Sequence, residues 1–290
     1  MKQKIHKAHN MNIFKCILPL ILLILIVPKG TSQTKIMSYN IRYDTPNDGE
    51  NWWDLRKDDV VELLKYYRAD FVGIQEAMPN QFMYIADKID DYKHIGFGRD
   101  GEGTNSEAIP IFYNSDYYVL LRSNTFWLSE TPEKISKGWD AALNRIVLHG
   151  VFKNKKSNQI IHIINTHFDH KGKVARHKSA ELLVEYIRNN HLANDNIVLM
   201  GDLNSLPTES PITLLEKELT NSYKTKESIA YGPIGTFNGF DILNPASRQI
   251  DYIFTKNIEI NNYRCVDDRR HNNLFPSDHF PVLVDISINN

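Results

Sequence analysis

The chain has 290 residues, of which 42% are hydrophobic and 11% aromatic, so it can bury a sizeable core and is not a disordered protein. Its 34 basic and 35 acidic residues give a formal net charge of −1, but residues 1–32 contain five Lys and no Asp or Glu. The remainder has 29 basic and 35 acidic residues, a net charge near −6. This mildly acidic body argues against tight sequence-independent binding of nucleic acid, which relies on clustered Lys and Arg.

The first 32 residues have the pattern of a secretory signal peptide. Lysines precede an apolar run at residues 16–27, which Pro28 ends. A membrane-spanning helix needs about 20 apolar residues, so this shorter run is more typical of a signal peptide. Gly30 and Ser32 are small residues at the −3 and −1 positions of a cleavage site before Gln33. We therefore expect export to the periplasm or the medium.

Two alternatives remain open for this segment. Met11 is an alternative start that would give a more compact signal peptide, and the apolar run could stay uncleaved as a membrane anchor. Cleavage would remove Cys16 and leave no stable membrane span. Cys265 would then be the sole cysteine, so the fold would form without an intramolecular disulfide.

Residues 35–95 alternate between strand-like and helix-like patterns. Residues 35–41 read as a strand, and residues 54–68 carry apolar side chains at helical spacing with Asp54 as the candidate N-cap. A short buried strand at 71–75 and a helix at about 80–89 follow. This alternation is typical of an α/β fold.

The pattern then changes to consecutive strands before one more helix. The predicted strands and the helix are listed here in chain order: strands at 108–113, 117–121, 145–152 and 159–166, a helix at about 174–190, and strands at 196–200, 250–255, 258–266 and 280–288. Residues 220–247 are polar and contain Gly and Pro, which predicts mostly loop. Because no compositional break follows residue 33, we expect one domain at 33–290. Mixed strands with helices between them predict a four-layer α/β sandwich, with two packed sheets flanked by helices.

Several of these strands end in carboxylate, amide or imidazole side chains instead of ordinary turn residues. In chain order they are Asn40, Glu76, His167, Asp202 with Asn204, Asp251, and Asp278 with His279. Taken singly, each has an ordinary structural explanation, such as an Asn in a turn or an Asp capping a helix. Apolar strands that end in such groups can together assemble a metal-assisted hydrolytic site.

The set resembles the ordered motifs of the endonuclease/exonuclease/phosphatase superfamily. The motifs are Asn40, Gln75-Glu76, Thr166-His167, Gly201-Asp202-Leu203-Asn204, Ile250-Asp251-Tyr252 and Ser277-Asp278-His279, and the resemblance spans about residues 35–288. It implies a metal-dependent hydrolase of phosphate esters with the sandwich fold. The motifs are specific for the fold and the type of bond but not for the substrate.

The resemblance also implies a division of roles. Glu76, with Asn40 and Asp278, would hold Mg²⁺, with Mn²⁺ as an alternative, since hard cations take oxygen ligands. The implied catalytic residues are the following: Asp202 deprotonating the attacking water, Asn204 donating to a phosphate oxygen, Asp251 orienting His279, His279 stabilising or protonating the phosphate, and His167 as a second imidazole at the phosphate.

Four further residues are candidate substrate contacts. Arg145 opens a strand and would reach the phosphate or form a structural ion pair, and Arg176 would contact substrate or be solvated. Asp169 and His170 would shape the pocket. The alternative for this region is a Zn²⁺ site formed by His167, Asp169, His170 and His177, which strand geometry disfavours because residues 167 and 170 point to opposite faces.

The leading hypothesis is an exported Mg²⁺-dependent phosphoesterase that uses an activated water and no covalent intermediate. No Gly-x-Ser-x-Gly motif is present, and Cys265 lacks the setting of a nucleophile. The net charge near −6 of residues 33–290 favours small phosphate esters over nucleic acid as the substrate. A secreted nuclease resembling deoxyribonucleases is the alternative. A non-catalytic binding module on the same fold is a third hypothesis. The loops at 100–106 and 222–244 are candidate substrate-facing loops.

Overall fold

A computed structural model describes residues 33–225 and 228–288, so the predicted signal peptide lies outside the described residues. The strands are, in order, β1 (Gln33–Asn40), β2 (Phe71–Gln75), β3 (Tyr92–Ile95), β4 (Ile111–Asn114), β5 (Tyr118–Trp127), β6 (Ile146–Asn154), β7 (Ile160–His167), β8 (Ile197–Asp202), β9 (Thr220–Asn221), β10 (Ile229–Tyr231), β11 (Asp251–Lys256), β12 (Glu259–Cys265) and β13 (Val282–Ser287). The α-helices are α1 (Trp53–Tyr67), α2 (Pro79–Lys88), α3 (Lys173–Asn189) and α4 (Ser210–Leu215).

The strands form two mixed sheets. The first has seven strands in the order β10-β12-β13-β1-β2-β4-β3, and the second has six in the order β5-β6-β7-β8-β11-β9. Central β1 pairs parallel with β2 and antiparallel with β13. In the second sheet, β8 pairs parallel with β7 and antiparallel with β11. Because β1 and β2 are parallel, and β7 and β8 are parallel, the two strands of each pair end at the same edge of their sheet. The polar residues at or after these strand ends therefore lie at that edge.

Three apolar layers hold the sheets and helices together. The layer between the sheets contains buried residues from both, such as Phe71 of β2 and Ile163 of β7. The outer face of the second sheet packs on α3 through residues such as Leu183, and the outer face of the first packs on α1 through residues such as Val60. This helix–sheet–sheet–helix order confirms the predicted four-layer α/β sandwich.

A buried amide joins the two sheets behind the polar edge. Asn165 of β7 is fully buried, and its Nδ2 donates to the carbonyl oxygen of Ile74 in β2 at 2.9 Å. Its Oδ1 accepts from Nε2 of Gln75 at 2.8 Å. Gly73 leaves the necessary space, since a Cβ there would lie 2.9 Å from the Asn165 side chain. This link fixes β2 against β7 one residue before Glu76.

The structure differs from the sequence-based elements in a few places. The cap of α1 is Trp52, and Asp54 lies in the first helical turn, so the predicted N-cap is wrong. The polar stretch at 220–247 contains two short strands, β9 and β10, and α4 was not predicted because it spans only six residues. Within the described part of the chain, no helix is both long and apolar enough to cross a membrane.

Candidate active site

The polar strand ends surround a cleft of about 550 Å³. Its lining residues are Arg42, Tyr43, Glu76, Glu107, Leu143, Arg145, His167, His170, Asp202, Asn204, Phe237, Arg248, Ile250, Asp278 and His279. Residues from both sheets line this cleft, so segments that are far apart in the chain meet there.

Strand register brings the second sheet's carboxylates and imidazole together. In this sheet Asp202 is the direct partner of His167 on one side and of Asp251 on the other. Gly201, with a φ of +152°, permits this approach, because a Cβ there would lie 1.9 Å from the carbonyl oxygen of Thr166. A glycine before Asp202 is therefore a steric requirement of the site.

The first sheet supplies an amide and a carboxylate. Asn40 is fully buried, and its Nδ2 donates to Oε1 of Glu76 and to Oδ2 of Asp202, both at 3.0 Å. The other oxygen of Glu76 accepts from the backbone N–H of Tyr43 at 3.0 Å. Glu76 has a φ of +62°, an unfavourable conformation for a residue with a side chain and one that recurs at functional sites. Asn40 thus holds the carboxylates of both sheets in one place.

Asp202 lies at the centre of the cleft and is 1% exposed. Its Oδ1 accepts from the backbone N–H of Asn204 at 2.9 Å. Its Oδ2 lies 3.4 Å from Nε2 of His167 and 3.8 Å from Nε2 of His279. Burial, followed by the nearby charge of Asp251, raises the pKa of Asp202 to about 7.

Asp251 and His279 form a buried pair. Nδ1 of His279 donates to Oδ2 of Asp251 at 2.9 Å, so Nε2 faces Asp202 and the cleft. Burial lowers the pKa of His279, but the charges of Asp251, Asp278 and Asp202 outweigh it, and the pKa lies well above its ordinary value. Thr236 supports the pair from behind, because its hydroxyl donates to Oδ2 of Asp251 at 2.6 Å.

The second imidazole, His167, has the opposite electrostatic environment. Burial and then the charge of Arg145 lower the pKa of His167 well below its ordinary value, so the ring is neutral. Nδ2 of Asn204 lies 3.1 Å from Nε2 of His167 and donates to the carbonyl oxygen of Phe168 at 3.0 Å. Both amide hydrogens of Asn204 are thus used within the protein, and its predicted bond to a phosphate oxygen would replace one of these.

The residues at the cleft centre fit a divalent cation. Ligand atoms of Glu76, Asp202 and His279 all lie within 4.8 Å of one another, and the carboxylate of Asp278 lines the same cleft. A protonated His279 offers no lone pair at Nε2, so the carboxylates are the donors, and hard cations prefer such oxygen ligands. Asn40 contributes differently from the prediction, because its Oδ1 accepts from the backbone N–H of Arg42 at 3.0 Å and its amide nitrogen faces the carboxylates.

The four predicted substrate contacts divide into two pairs. Arg145 and His170 line the cleft, and Nη2 of Arg145 donates to Nδ1 of His170 at 3.1 Å. Asp169 lies behind them, 1% exposed, with Oδ2 3.4 Å from Nε of Arg145. Arg176 donates to the carbonyl oxygen of Asp169 at 3.0 Å and is not among the lining residues. Asp169 and Arg176 therefore support the wall that Arg145 and His170 form.

The Zn²⁺ alternative is not assembled. Nitrogen atoms of His177 lie 3.1 Å from Oγ of Ser210 and 3.1 Å from Oε1 of Glu181, on the exposed side of α3. Asp169 directs one oxygen at backbone N–H groups and the other at Arg145. Among the described residues, the only cluster of three or more His, Cys, Asp or Glu side chains with converging ligand atoms is that of Glu76, Asp202 and His279, where the carboxylates are the metal donors.

Sequence reasoning missed several lining residues. Arg42 directly follows the strand predicted at 35–41, and Glu107 directly follows the polar 100–106 stretch, so proximity to predicted features was the available signal. Phe237 lies in the loop at 222–244 that was predicted to face substrate. Arg248 and Leu143 carried no signal, because only the packing of distant loops brings them to the cleft.

The sequence and the fold both match known proteins. The model of the endonuclease/exonuclease/phosphatase family matches residues 37–279. A solved endonuclease/exonuclease/phosphatase from Bacteroides vulgatus is 34% identical, with a TM-score of 0.84 over 89% of this chain and 100% of that one. A mannosyl-6-phosphatase of Bacteroides thetaiotaomicron is 32% identical, with a TM-score of 0.83 over 88% of this chain and 100% of that one.

A more distant structure shares only the fold. The catalytic domain of human nocturnin, solved with bound sulfate, is 19% identical, with a TM-score of 0.69 over 89% of this chain and 94% of that one. The enzymes of the matched family depend on divalent metal ions and hydrolyse phosphate esters or nucleic acids. With a match over most of its length and a cleft that fits a cation, this chain belongs to the endonuclease/exonuclease/phosphatase family and is a metal-dependent hydrolase of phosphate ester bonds.

Proposed function

We propose that the protein is an exported, Mg²⁺-dependent phosphatase of small phosphate esters, with sugar phosphates as the substrate class. Asp202 activates the attacking water, and no covalent intermediate forms. The observation that carries the proposal is the convergence of Asp202, Glu76 and the Asp251–His279 pair in one cleft. A general base, cation ligands and a protonated imidazole are the groups that hydrolysis of a phosphate ester needs.

Asp202 is suited to act as the base because its surroundings hold the carboxylate in place. The backbone N–H of Asn204 fixes Oδ1, and the amide of Asn40 fixes Oδ2. With both oxygens held in this way, Asp202 still lines the cleft. A water bound there would lose its proton to Asp202 as it attacks phosphorus.

His279 is suited to stabilise the negative charge that develops on the phosphate. Its bond to Asp251 fixes the ring, and Nε2–H points to the same space as Asp202. Bound Mg²⁺, held by Glu76 and Asp278, would supply further charge neutralisation at the phosphate and its leaving oxygen. Arg145, which is 5% exposed, lines the same cleft with a buried guanidinium that can pair with a phosphate oxygen.

The lining of the cleft supports direct attack by water. Among the described residues that line it, none is a Ser, Thr or Cys that could act as a nucleophile. Cys265 lies elsewhere, fully buried, with Sγ 3.6 Å from the carbonyl oxygen of Gly235. Burial raises the pKa of this thiol far above its ordinary value, so it is not a thiolate.

Three observations favour a small substrate. The cleft volume of about 550 Å³ is typical of small-molecule sites. The body of the chain, near −6, would repel a long polyanion. A relative that is 32% identical over nearly its whole length is a mannosyl-6-phosphatase. Export is the remaining part of the proposal, and it rests on the signal-peptide pattern of residues 1–32 alone.

A hydrolysis panel tests the proposal. Glucose 6-phosphate, mannose 6-phosphate, an inositol phosphate, sphingomyelin, RNA and DNA are incubated with the protein in Mg²⁺, Mn²⁺, Zn²⁺ or chelator. We expect release of phosphate from the sugar esters with Mg²⁺ and none with chelator. Preferential cleavage of DNA or RNA would instead support the nuclease alternative, and no hydrolysis of any ester would support a binding module.

A further inference from the structure

The wall of the cleft beside His279 carries an exposed arginine, Arg248, that forms no ion pair with any carboxylate in the described part of the chain. Phe237 contacts His279 edge-to-face, with ring centroids 5.1 Å apart. The same Phe237 ring also contacts Arg248, whose guanidinium carbon lies 5.3 Å from the ring centroid. The backbone of Phe237 bridges both Arg248 and His279. Arg248 is therefore held on the exposed rim of the cleft, one aromatic ring away from the catalytic imidazole.

The other arginines around the cleft are all paired with carboxylates. Arg42 lies 3.0 Å from Asp48, and Arg145 lies 3.4 Å from Asp169. Arg99, which lies next to the cleft residues Glu107 and Arg145, is 2.7 Å from Glu107. Within residues 33–225 and 228–288, Arg248 has no carboxylate within 4.0 Å and makes only the contact with Phe237 and backbone pairing. An aromatic ring orients a guanidinium without neutralising it.

We propose that Arg248 and Phe237 form a second anion subsite, and that the preferred substrates are phosphate esters carrying a second negatively charged group, as in a sugar bisphosphate. This inference rests on the proposed function and names its substrate class more narrowly. The scissile phosphate lies at Asp202 and His279, the carbon skeleton lies against Phe237, and the distal anion pairs with Arg248.

The chemistry of the rim suits this arrangement. Ile250 lines the cleft close to Phe237, so the two give the substrate's carbon skeleton an apolar surface. The planar guanidinium of Arg248 can bind a phosphate or carboxylate through two parallel hydrogen bonds. Because the group is exposed when no substrate is bound, pairing with the anion requires little desolvation of a buried charge.

Paired substrates that differ only by the distal anion test the inference. The full-length protein and its Arg248→Ala and Arg248→Lys variants are assayed with glucose 6-phosphate and with glucose 1,6-bisphosphate, and phosphate release is followed. Arg122→Ala is the matched control, because Arg122 is an exposed arginine that does not line this cleft. Equilibrium binding of both sugars is also measured for Asp202→Asn alone and for Asp202→Asn combined with each of the three arginine substitutions.

We expect the wild type and Arg122→Ala to favour the bisphosphate in kcat/KM and in affinity. Arg248→Ala should reduce this preference about tenfold, and Arg248→Lys should retain part of it, since lysine keeps the charge but not the fork. An unchanged preference in Arg248→Ala, or no preference in the wild type, would overturn the subsite. Failure to hydrolyse either sugar would instead count against the proposed function, and the binding comparison would still decide the subsite.

Discussion

Two imidazoles only a few ångströms from the same carboxylate have opposite protonation tendencies. His279 is paired with Asp251 and faces three carboxylates, which raise its pKa. His167 is buried near Arg145, and both effects lower its pKa. Environments that push two titratable groups apart are a common way to separate acid and base roles. In this cleft the surroundings favour a protonated, positively charged His279 and a neutral His167 that can only orient its neighbours.

Thr236 controls the orientation of the Asp251–His279 pair, and its removal tests that arrangement. Thr236→Val keeps the side-chain volume but removes the hydrogen bond to Oδ2 of Asp251 and the two that the hydroxyl oxygen accepts from the backbone N–H groups of Ile250 and Asp251, all of which hold Asp251 in place. We expect kcat to fall about tenfold with little change in KM, because the imidazole is less well held while the substrate surface is intact. Steady-state kinetics with a sugar phosphate measures both constants.

Thr255→Val is the matched control for this change. Thr255 lies on the same strand as Asp251 and is equally buried, but its hydroxyl has no hydrogen-bond partner in the described part of the chain. The variant should keep wild-type kcat. If both variants lost activity to the same extent, general loss of packing and not orientation of Asp251 would explain the result.

At the scale of elements, the hydrogen bonds of the buried Asn165 side chain hold β7 against β2 and so bring the site residues of the two sheets together. Asn165 of β7 donates to backbone carbonyls of β2 and of the segment before β4, and accepts from Gln75. Replacing one partner of a buried network leaves the others without hydrogen bonds, which costs about 1–3 kcal/mol per group. The link is therefore part of the fold as well as of the site.

Asn165→Leu tests this link. We expect the free energy of unfolding in urea to drop by about 3 kcal/mol, because carbonyl and amide groups of β2 stay buried without partners. Asn124→Leu on the exposed side of β5 is the control, and it should change stability by less than about 1 kcal/mol. A drop of equal size in both variants would contradict the assigned role of Asn165.

The same residues show what the sequence could and could not reveal. Asp202 and His279 could be predicted because each follows or precedes an apolar strand, a pattern that local sequence contains. Asn165 could not, since its side-chain partners lie 55 to 91 positions away and nothing local distinguishes it from a turn asparagine. Arg248 escaped prediction for the same reason. Local pattern predicts which residues lie at a sheet edge, whereas contacts between sheets and loops depend on the whole packing.

At the scale of the whole molecule, a second pair of histidines links stability to pH. His149 and His162 are buried next to each other, with Nε2 and Nδ1 3.0 Å apart, away from the cleft. Burial, then His162 and Arg122, lower the pKa of His149 to about 3, and burial lowers that of His162 as well. The unfolded chain protonates both below about pH 6.5, whereas the folded state keeps them neutral. Stability contributed by the neutral pair is therefore full above pH 6.5 and declines as the pH falls towards 3.

His149→Gln should weaken this pH dependence. Between pH 7 and pH 5 the variant should lose about 2 kcal/mol less unfolding free energy than the wild type, because one buried titrating group is gone. Urea unfolding at the two pH values gives the comparison, and His271→Gln, at a position that is 87% exposed at the side chain, is the control. Equal losses in the wild type and in His149→Gln would show that this pair does not govern acid sensitivity.

The central claim is that Asp202 activates the attacking water in a cleft that holds a divalent cation. The most direct measurement is the steady-state kcat of Asp202→Asn for a sugar phosphate at saturating Mg²⁺, beside the exposed Asp267→Asn control. We expect a loss of about 10³-fold or more for Asp202→Asn, wild-type kcat for the control, and no turnover by the wild type in chelator. Near-normal turnover by Asp202→Asn on every ester that the wild type hydrolyses would contradict it.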